Sequence, residues 1–294
     1  MKVEIPEELK AELPPTLWGR ILTATPVVMA VVATGLAGLA SSEMTRAQYE
    51  RSLAAQEQAK AGDQWGFFQA KRLRGSMQRT TLDLIQSTTE VLPLGAAELA
   101  RLDPATTAAL LKGEIPALPP PVTWKPSVKA AFDLLEAAKP EPEIALALAS
   151  VTDEDLTDAV RAVRARADAF DASTRPQSQA IDGLEKSLSG GARERLRDLT
   201  AARARYSAAR YEMEARLNQV VAQVIELQVR KSNITAERHS RRSQRFFFGM
   251  LAAQAAVIIC TMSIAARNRS MLWTVAAVAG LAAVGFAVYV YFYV

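Results

Sequence analysis

The sequence predicts an all-α integral membrane protein: three transmembrane helices, an antiparallel helical stalk and an inserted helical subdomain. Three observations lead there. The chain of 294 residues contains three uncharged apolar runs, 21–42, 246–266 and 271–294. At 1.5 Å per residue each is long enough to cross a hydrocarbon core of about 30 Å. The roughly 200 residues from 43 to 245 are rich in Ala, Arg, Glu, Gln and Leu and poor in Val, Ile and aromatics, a composition that favours helix over strand. Apolar positions in that region recur at steps of three and four, the helical period.

The polar tail 1–20 precedes transmembrane helix 1 at 21–42. Gly38-Leu39-Ala40 before Ser41 resembles a signal-peptide cleavage site. Against that reading, the tail carries Glu4, Glu7, Glu8 and Glu12, whereas secretory leaders start short and basic. An uncleaved anchor is expected. The first stalk helix is predicted over 43–91, where Tyr49, Leu53, Trp65, Phe68, Leu73, Met77 and Leu84 form a loose helical stripe. Trp65, Phe68 and Leu73 are expected between the two stalks.

Residues 92–191 read as an inserted proline-rich helical subdomain. Asp103-Pro104 opens a short helix that Gly113 closes. Leu118 and three prolines to Pro121 form a stiff linker. Ser127 is expected to cap the next helix, which ends before Pro140. Thr152-Asp153-Glu154-Asp155 reads as a capping box ahead of Leu156, Val160 and Val163, not as a metal site. Pro176 is expected to break that helix, and Gly190-Gly191 to end the following segment.

The second stalk helix, 192–245, contains no proline or glycine and leads into transmembrane helix 2 at 246–266. Leu199, Ala202, Tyr206, Ala209, Met213, Leu217, Val220, Val224 and Leu227 form a coiled-coil-like seam. The run from Arg267 to Ser270 is a tight turn into transmembrane helix 3 at 271–294. Small-residue ridges are read on the first span (Ala30, Thr34, Gly38), the second (Ala252, Ala256, Cys260) and the third (Ala276, Gly280). Gln254, the one amide in the spans, is expected to hydrogen-bond between helices. Trp18, Trp273, Tyr289, Tyr291 and Tyr293 suit interfacial aromatic belts.

Chemistry is sparse. His239 is the single histidine and lies in the basic run Arg238-His239-Ser240-Arg241-Arg242, read as a solvated juxtamembrane patch. The single cysteine, Cys260, lies inside a span, so no intrachain disulfide forms. The spans contain no charged residue, which argues against a pump or coupled transporter. No catalytic, cofactor-binding or metal-binding residues are assigned and no cofactor is expected. The net charge of +4 gives no reason to invoke nucleic acid, and no small-molecule substrate is identified. The expected partners are the lipid bilayer and either a second copy or another membrane protein.

Basic residues prefer the cytoplasmic side of a membrane. Nine of them flank the spans on the middle-region side: Arg46, Arg51, Lys60, Arg230, Lys231, Arg238, Arg241, Arg242 and Arg245. Five (Lys2, Lys10, Arg20, Arg267 and Arg269) lie on the other. A cytoplasmic middle region in a multi-pass inner-membrane protein is therefore expected.

The order of an acidic tail, Trp18 and Arg20, a small-residue span, and then Ala61-Gly62-Asp63-Gln64-Trp65-Gly66-Phe67-Phe68-Gln69-Ala70-Lys71 carries a resemblance. With the final helix entering a two-span hairpin, it resembles the bacterial membrane-protein family of domain of unknown function 4337, over roughly residues 1–90 and 195–294. The segment at Trp65 is similar to that family's tryptophan–tyrosine–tyrosine–glutamine–alanine–lysine pattern. Phe67 and Phe68 stand where tyrosines are usual, which removes two hydroxyls. The family has no assigned activity, so the resemblance implies fold and membrane topology but no site residues. A non-enzymatic scaffold or interaction protein of the cytoplasmic membrane is the expected function. The alternative is a membrane-bound sensor or signalling subunit with a helical-bundle sensing region.

Overall fold

A computed structural model describes residues 17–188, 190, 193–265 and 269–293. The described residues form eight helices and no strand. They are α1 (Leu17–Thr88), α2 (Ala96–Leu99), α3 (Pro104–Lys112), α4 (Pro126–Glu136), α5 (Glu141–Ala149), α6 (Asp153–Leu188), α7 (Arg193–Ala265) and α8 (Arg269–Tyr293). α1, α7 and α8 each contain a stretch long and apolar enough to cross a membrane. The acidic tail, most of the turn before α8, and the side chains of Trp18, Tyr291 and Tyr293 lie outside the described residues.

The chain divides into two compact units. The first comprises Met1–Ser52 and Asn233–Val294. Its core is Ala33, Leu36, Ala40, Phe246, Ala253, Ala283 and Val290. Small residues at these positions let backbones approach: Leu36 Cδ1 would lie 3.4 Å from a Cβ on Gly249. On α8 the buried stripe is Ala276, Gly280, Ala283 and Val290, so the ridge read there lies at the core. On α7 Ala256 and Cys260 are buried and Ala252 half-buried, again with the ridge inward. On α1 the ridge is corrected: Ala30, Thr34 and Gly38 face outward, and Ala33, Leu36 and Ala40 fill the core. Gln254 is exposed with no hydrogen-bond partner among the described residues, so it does not join the helices. Hydrogen bonds between these helices come from other residues, among them Trp273 Nε1 donating to Thr25 Oγ1 at 3.3 Å.

The second unit is Leu53–Ser232. Here α3 and α4 both pack on α6, and α4 packs on α5. One cluster joins Ala109 and Leu110 of α3, Ile181 and Leu184 of α6, and Leu199, Ala202 and Tyr206 of α7. Around α4 and α5, Val128, Ala131, Phe132, Ile144, Leu148 and Val151 are buried, and Trp124 stacks on Phe132 at 4.9 Å.

Local signals set both ends of α3 and the start of α6. Asp103 accepts from the Ala105 and Thr106 amides, both at 2.9 Å, and Gly113 closes α3 at φ +71°. A side chain at Gly113 would also meet Arg205 Cγ at 2.9 Å. The capping box is present: Asp155 N donates to Thr152 Oγ1 at 3.1 Å, and Thr152 N to Asp155 Oδ2 at 3.4 Å.

Two local expectations need correction, and one helix, 141–149, has no counterpart in the sequence reading. The N-cap of α4 is Lys125, without a side-chain cap, and Ser127 lies inside the first turn because Pro126 takes the first helical position. Residues 141–149 form a helix, since Pro142 sits in a first turn where its missing N–H costs nothing. Pro176 does not break α6, which continues to Leu188. An interior proline costs a helix about 3 kcal/mol. Here Val163 and Phe170 on one side, with Ile181 and Leu184 on the other, are all buried and hold both halves in place.

The face that α1 buries is the main revision. Ala33, Ala40 and Ala47 in the first unit, and Ala54, Ala61 and Gly75 in the second, are buried at steps of seven or multiples of seven. Trp65 and Phe68 are half-buried, touching edge to face at 5.4 Å. Tyr49, Leu73, Met77 and Leu84 are exposed, Leu73 by 63%. A stripe of alanines at heptad spacing admits a neighbouring helix at close range, which large side chains would hold off. At Gly75 a Cβ would lie 3.4 Å from Tyr211 Cβ. On α7, Leu199, Ala202, Tyr206, Leu217, Val224 and Leu227 are buried, while Ala209, Met213 and Val220 are half-buried. Ala201, Ala204, Ala208, Ala215, Val221, Ile225 and Val229 are buried as well, so within the second unit α7 is enclosed on more than one face.

Candidate functional site

Beside the alanine stripe, α1 carries a polar row at the same heptad spacing: Glu43, Glu50, Glu57, Gln64, Lys71 and Gln78. In the second unit this row engages α7. Ser232 Oγ donates to Glu57 Oε2 at 3.0 Å, Gln64 Nε2 to Asn218 Oδ1 at 2.5 Å, and Lys71 Nζ to Glu214 Oε2 at 2.5 Å. Glu214 is buried between two cations, for Arg210 Nε lies 3.2 Å from its other oxygen, at an angle that makes no hydrogen bond. Tyr211 completes the cluster, its ring 4.6 Å from the Arg210 guanidinium and 5.7 Å from Lys71 Nζ. One carboxylate thus serves two cations, and the chemistry of the cluster is that of a polar lock between helices.

A cleft of about 400 Å³ in the same unit is lined by Ser178, Asp182, Arg203, Tyr206, Arg210 and Tyr211, among others. Its cations are already committed. Arg203 pairs with Asp182 at 3.1 Å and with Glu185, while Arg210 donates to Ser178. The Tyr206 hydroxyl donates to Gln177 Oε1 at 2.9 Å, and burial pushes its pKa up. Two of its hydroxyls serve the helices themselves, Ser178 Oγ donating to Thr174 O at 3.0 Å and Thr200 Oγ1 to Leu196 O at 2.7 Å. Among the described residues no group of three or more His, Cys, Asp or Glu is placed to hold a metal ion.

Other shifted groups sit at structural junctions. Lys125 is raised and Asp155 lowered by their mutual hydrogen bond, which ties α4 to the start of α6. Asp103 is lowered by the hydroxyl and amide of Thr106 that it caps. Burial raises Glu226, although Arg230 lies 3.0 Å away. Arg230 also pairs with Glu141, and Lys231 Nζ donates to Leu148 O at 3.0 Å, so the start and end of α5 are both fastened to α7.

In the first unit His239 is not a solvated side chain. Its Nδ1 lies 2.6 Å from Glu43 Oε2, both side chains are largely shielded, and Arg46 approaches the other Glu43 oxygen at 3.5 Å. The polar row that places Glu43 and Glu214's partner Lys71 was missed from sequence. Its signal was the seven-residue spacing, read on charged residues and not on apolar ones.

Residues 18–110 match the family described as Domain of unknown function (DUF4337). The resemblance read from the sequence thus holds over α1, from its apolar segment through the Trp65 segment, and the match continues over α2 and most of α3. The match reaches into the region assigned to the insertion, and residues 195–294 lie outside it. No curated protein and no solved structure matches the chain.

Proposed function

We propose that this chain is a non-enzymatic scaffold of the bacterial cytoplasmic membrane. Three spans anchor it, and an antiparallel pair formed by α1 and α7 carries an interaction surface. The antiparallel arrangement is supported by the lock: as the α1 partner advances from Glu57 through Gln64 to Lys71, the α7 partner retreats from Ser232 through Asn218 to Glu214. Insertion is supported by the outward faces of the first unit, where Val31, Phe248, Ile258, Met262, Val278 and Leu281 are exposed, a surface suited to lipid and costly in water.

The observation that carries an interaction role is a second stripe on α1, opposite the buried one. Ala59, Gly62, Gly66, Ala70, Leu73 and Met77 follow one another at steps of three and four, all exposed, with Leu84 continuing the line. Nothing lies within 4 Å of a Cβ placed at Gly62 or Gly66. Copies in one membrane share their orientation, so a twofold pair brings each residue of this stripe against its own counterpart. The two glycines then permit close backbone approach, with Leu73 and Met77 as the larger contacts. Gly66→Cys in a Cys260→Ala background tests this. Oxidation in native membranes is expected to give a disulfide-linked dimer, and monomer alone would refute self-association through α1.

A further inference from the structure

The apolar run of α1 ends at Ser42 and that of α7 begins at Phe246. Within the first unit these two boundaries lie side by side: Ser243 Oγ donates to Ala40 O at 2.7 Å, and His239 pairs with Glu43. At that shared level α7 carries Arg238, Arg241, Arg242 and Arg245. The carboxylates available to them are mostly committed elsewhere. Glu43 holds His239 and Arg46, and Glu237 holds Arg241. Arg242 and Arg245 have no carboxylate partner among the described residues, and Arg242 Nε is shielded from solvent without a hydrogen-bond acceptor.

Two half-buried guanidiniums beside an apolar span, with no carboxylate partner among the described residues, lack a counter-charge, and their outer N–H groups are free to meet one. The position next to an apolar span is where lipid headgroup phosphates lie, and phosphate supplies what is missing: negative charge and oxygen acceptors that match the guanidinium fork. Past the buried Phe246, Phe247 and Phe248 are exposed and begin the apolar surface suited to lipid chains.

We propose that Arg242 and Arg245 form a site for the headgroup phosphate of an anionic phospholipid, in the leaflet on the side of the middle region. This rests on the membrane reading above. A basic side chain near an anionic surface gains about fivefold in affinity, so the pair is worth about thirtyfold.

The test uses the full chain reconstituted in nanodiscs of mixed phosphatidylglycerol and phosphatidylcholine, followed by native mass spectrometry of the lipids it retains. Wild type is expected to retain phosphatidylglycerol preferentially. The double variant Arg242→Gln/Arg245→Gln is expected to lose that preference about thirtyfold, and Arg242→Lys/Arg245→Lys, which keeps the charge but not the fork, to retain only an intermediate preference. Arg161→Gln, remote in α6, is the control and retains wild-type preference. Equal retention of the two lipids by wild type, or an undiminished preference in the Gln variant, overturns the site. Carbonate extraction of native membranes is read separately. A chain released by carbonate refutes the membrane reading itself, whereas a chain that stays in the pellet without lipid preference refutes only this site.

Discussion

Glu214 offers the sharpest energetic test of the helix pair. Its side chain is 5% exposed and faces Lys71 Nζ at 2.5 Å and Arg210 Nε at 3.2 Å. Glu214→Ala leaves both cations without their counter-ion. Breaking a fully buried pair costs about 3–5 kcal/mol. The Lys71 and Arg210 side chains are 25% and 17% exposed, so each regains part of its hydration, and screening by that solvent brings the expected loss to about 2–3 kcal/mol. For a unit of this size that corresponds to a fall in Tm of about 5–10 °C. Circular dichroism of the full chain in mild detergent reads it directly. Glu214→Gln keeps an acceptor for Lys71 and is expected to lose about half as much. A Glu214→Ala variant melting within about 1 °C of wild type would refute the claim that this cluster locks α1 to α7.

Further outcomes follow from the same contacts. Ala61→Leu places a large side chain at a position 2% exposed and should destabilise by about 1–3 kcal/mol through overpacking, while Leu73→Ala, exposed within one copy, should stay within about 0.5 kcal/mol at dilutions where the chain is monomeric; thermal melts in the opposite order would mean that α1 buries its other face. Thr152→Ala removes the acceptor for the Asp155 amide and should cost about 1 kcal/mol, measured in the same melts. Asp103 and Asp155 both have folded pKa values below their ordinary one, so folding favours their ionised forms. Their contribution is present above the unfolded carboxylate value of about 4 and is lost as pH falls through the lower folded value; Asp103→Asn should flatten that acid limb of a Tm–pH profile, and an unchanged limb would contradict the assignment.

Features decided by a few neighbouring residues were legible in the sequence. The Asp103 and Gly113 ends of α3 and the Thr152–Asp155 box need only a side chain and an amide within one turn. The apolar runs were equally plain, because their length and lack of charge are properties of the runs alone. What failed depended on partners far along the chain. Pro176 was read as a break because its local cost is visible, whereas the buried Phe170 and Ile181 on either side that offset it are not. Leu73 was assigned to the interior on hydrophobicity, yet the close neighbour selected alanines at Ala54 and Ala61 instead. His239 read as solvated until Glu43, almost 200 positions away, was placed beside it. Gln254 failed in the other direction: an amide in an apolar run suggested a partner, and the helix turns it outward.

The central claim, that the chain crosses a membrane three times, is tested most directly by two cysteines placed singly after Cys260→Ala, at Ser173 and at Ser270. Three crossings with a cytoplasmic middle region place Ser173 inside and Ser270 outside. A membrane-impermeant maleimide should then label only Ser270→Cys in intact cells, and both variants once the membrane is permeabilised. Labelling of Ser173→Cys alone would reverse the orientation. Labelling of both in intact cells, or of neither, would contradict three crossings.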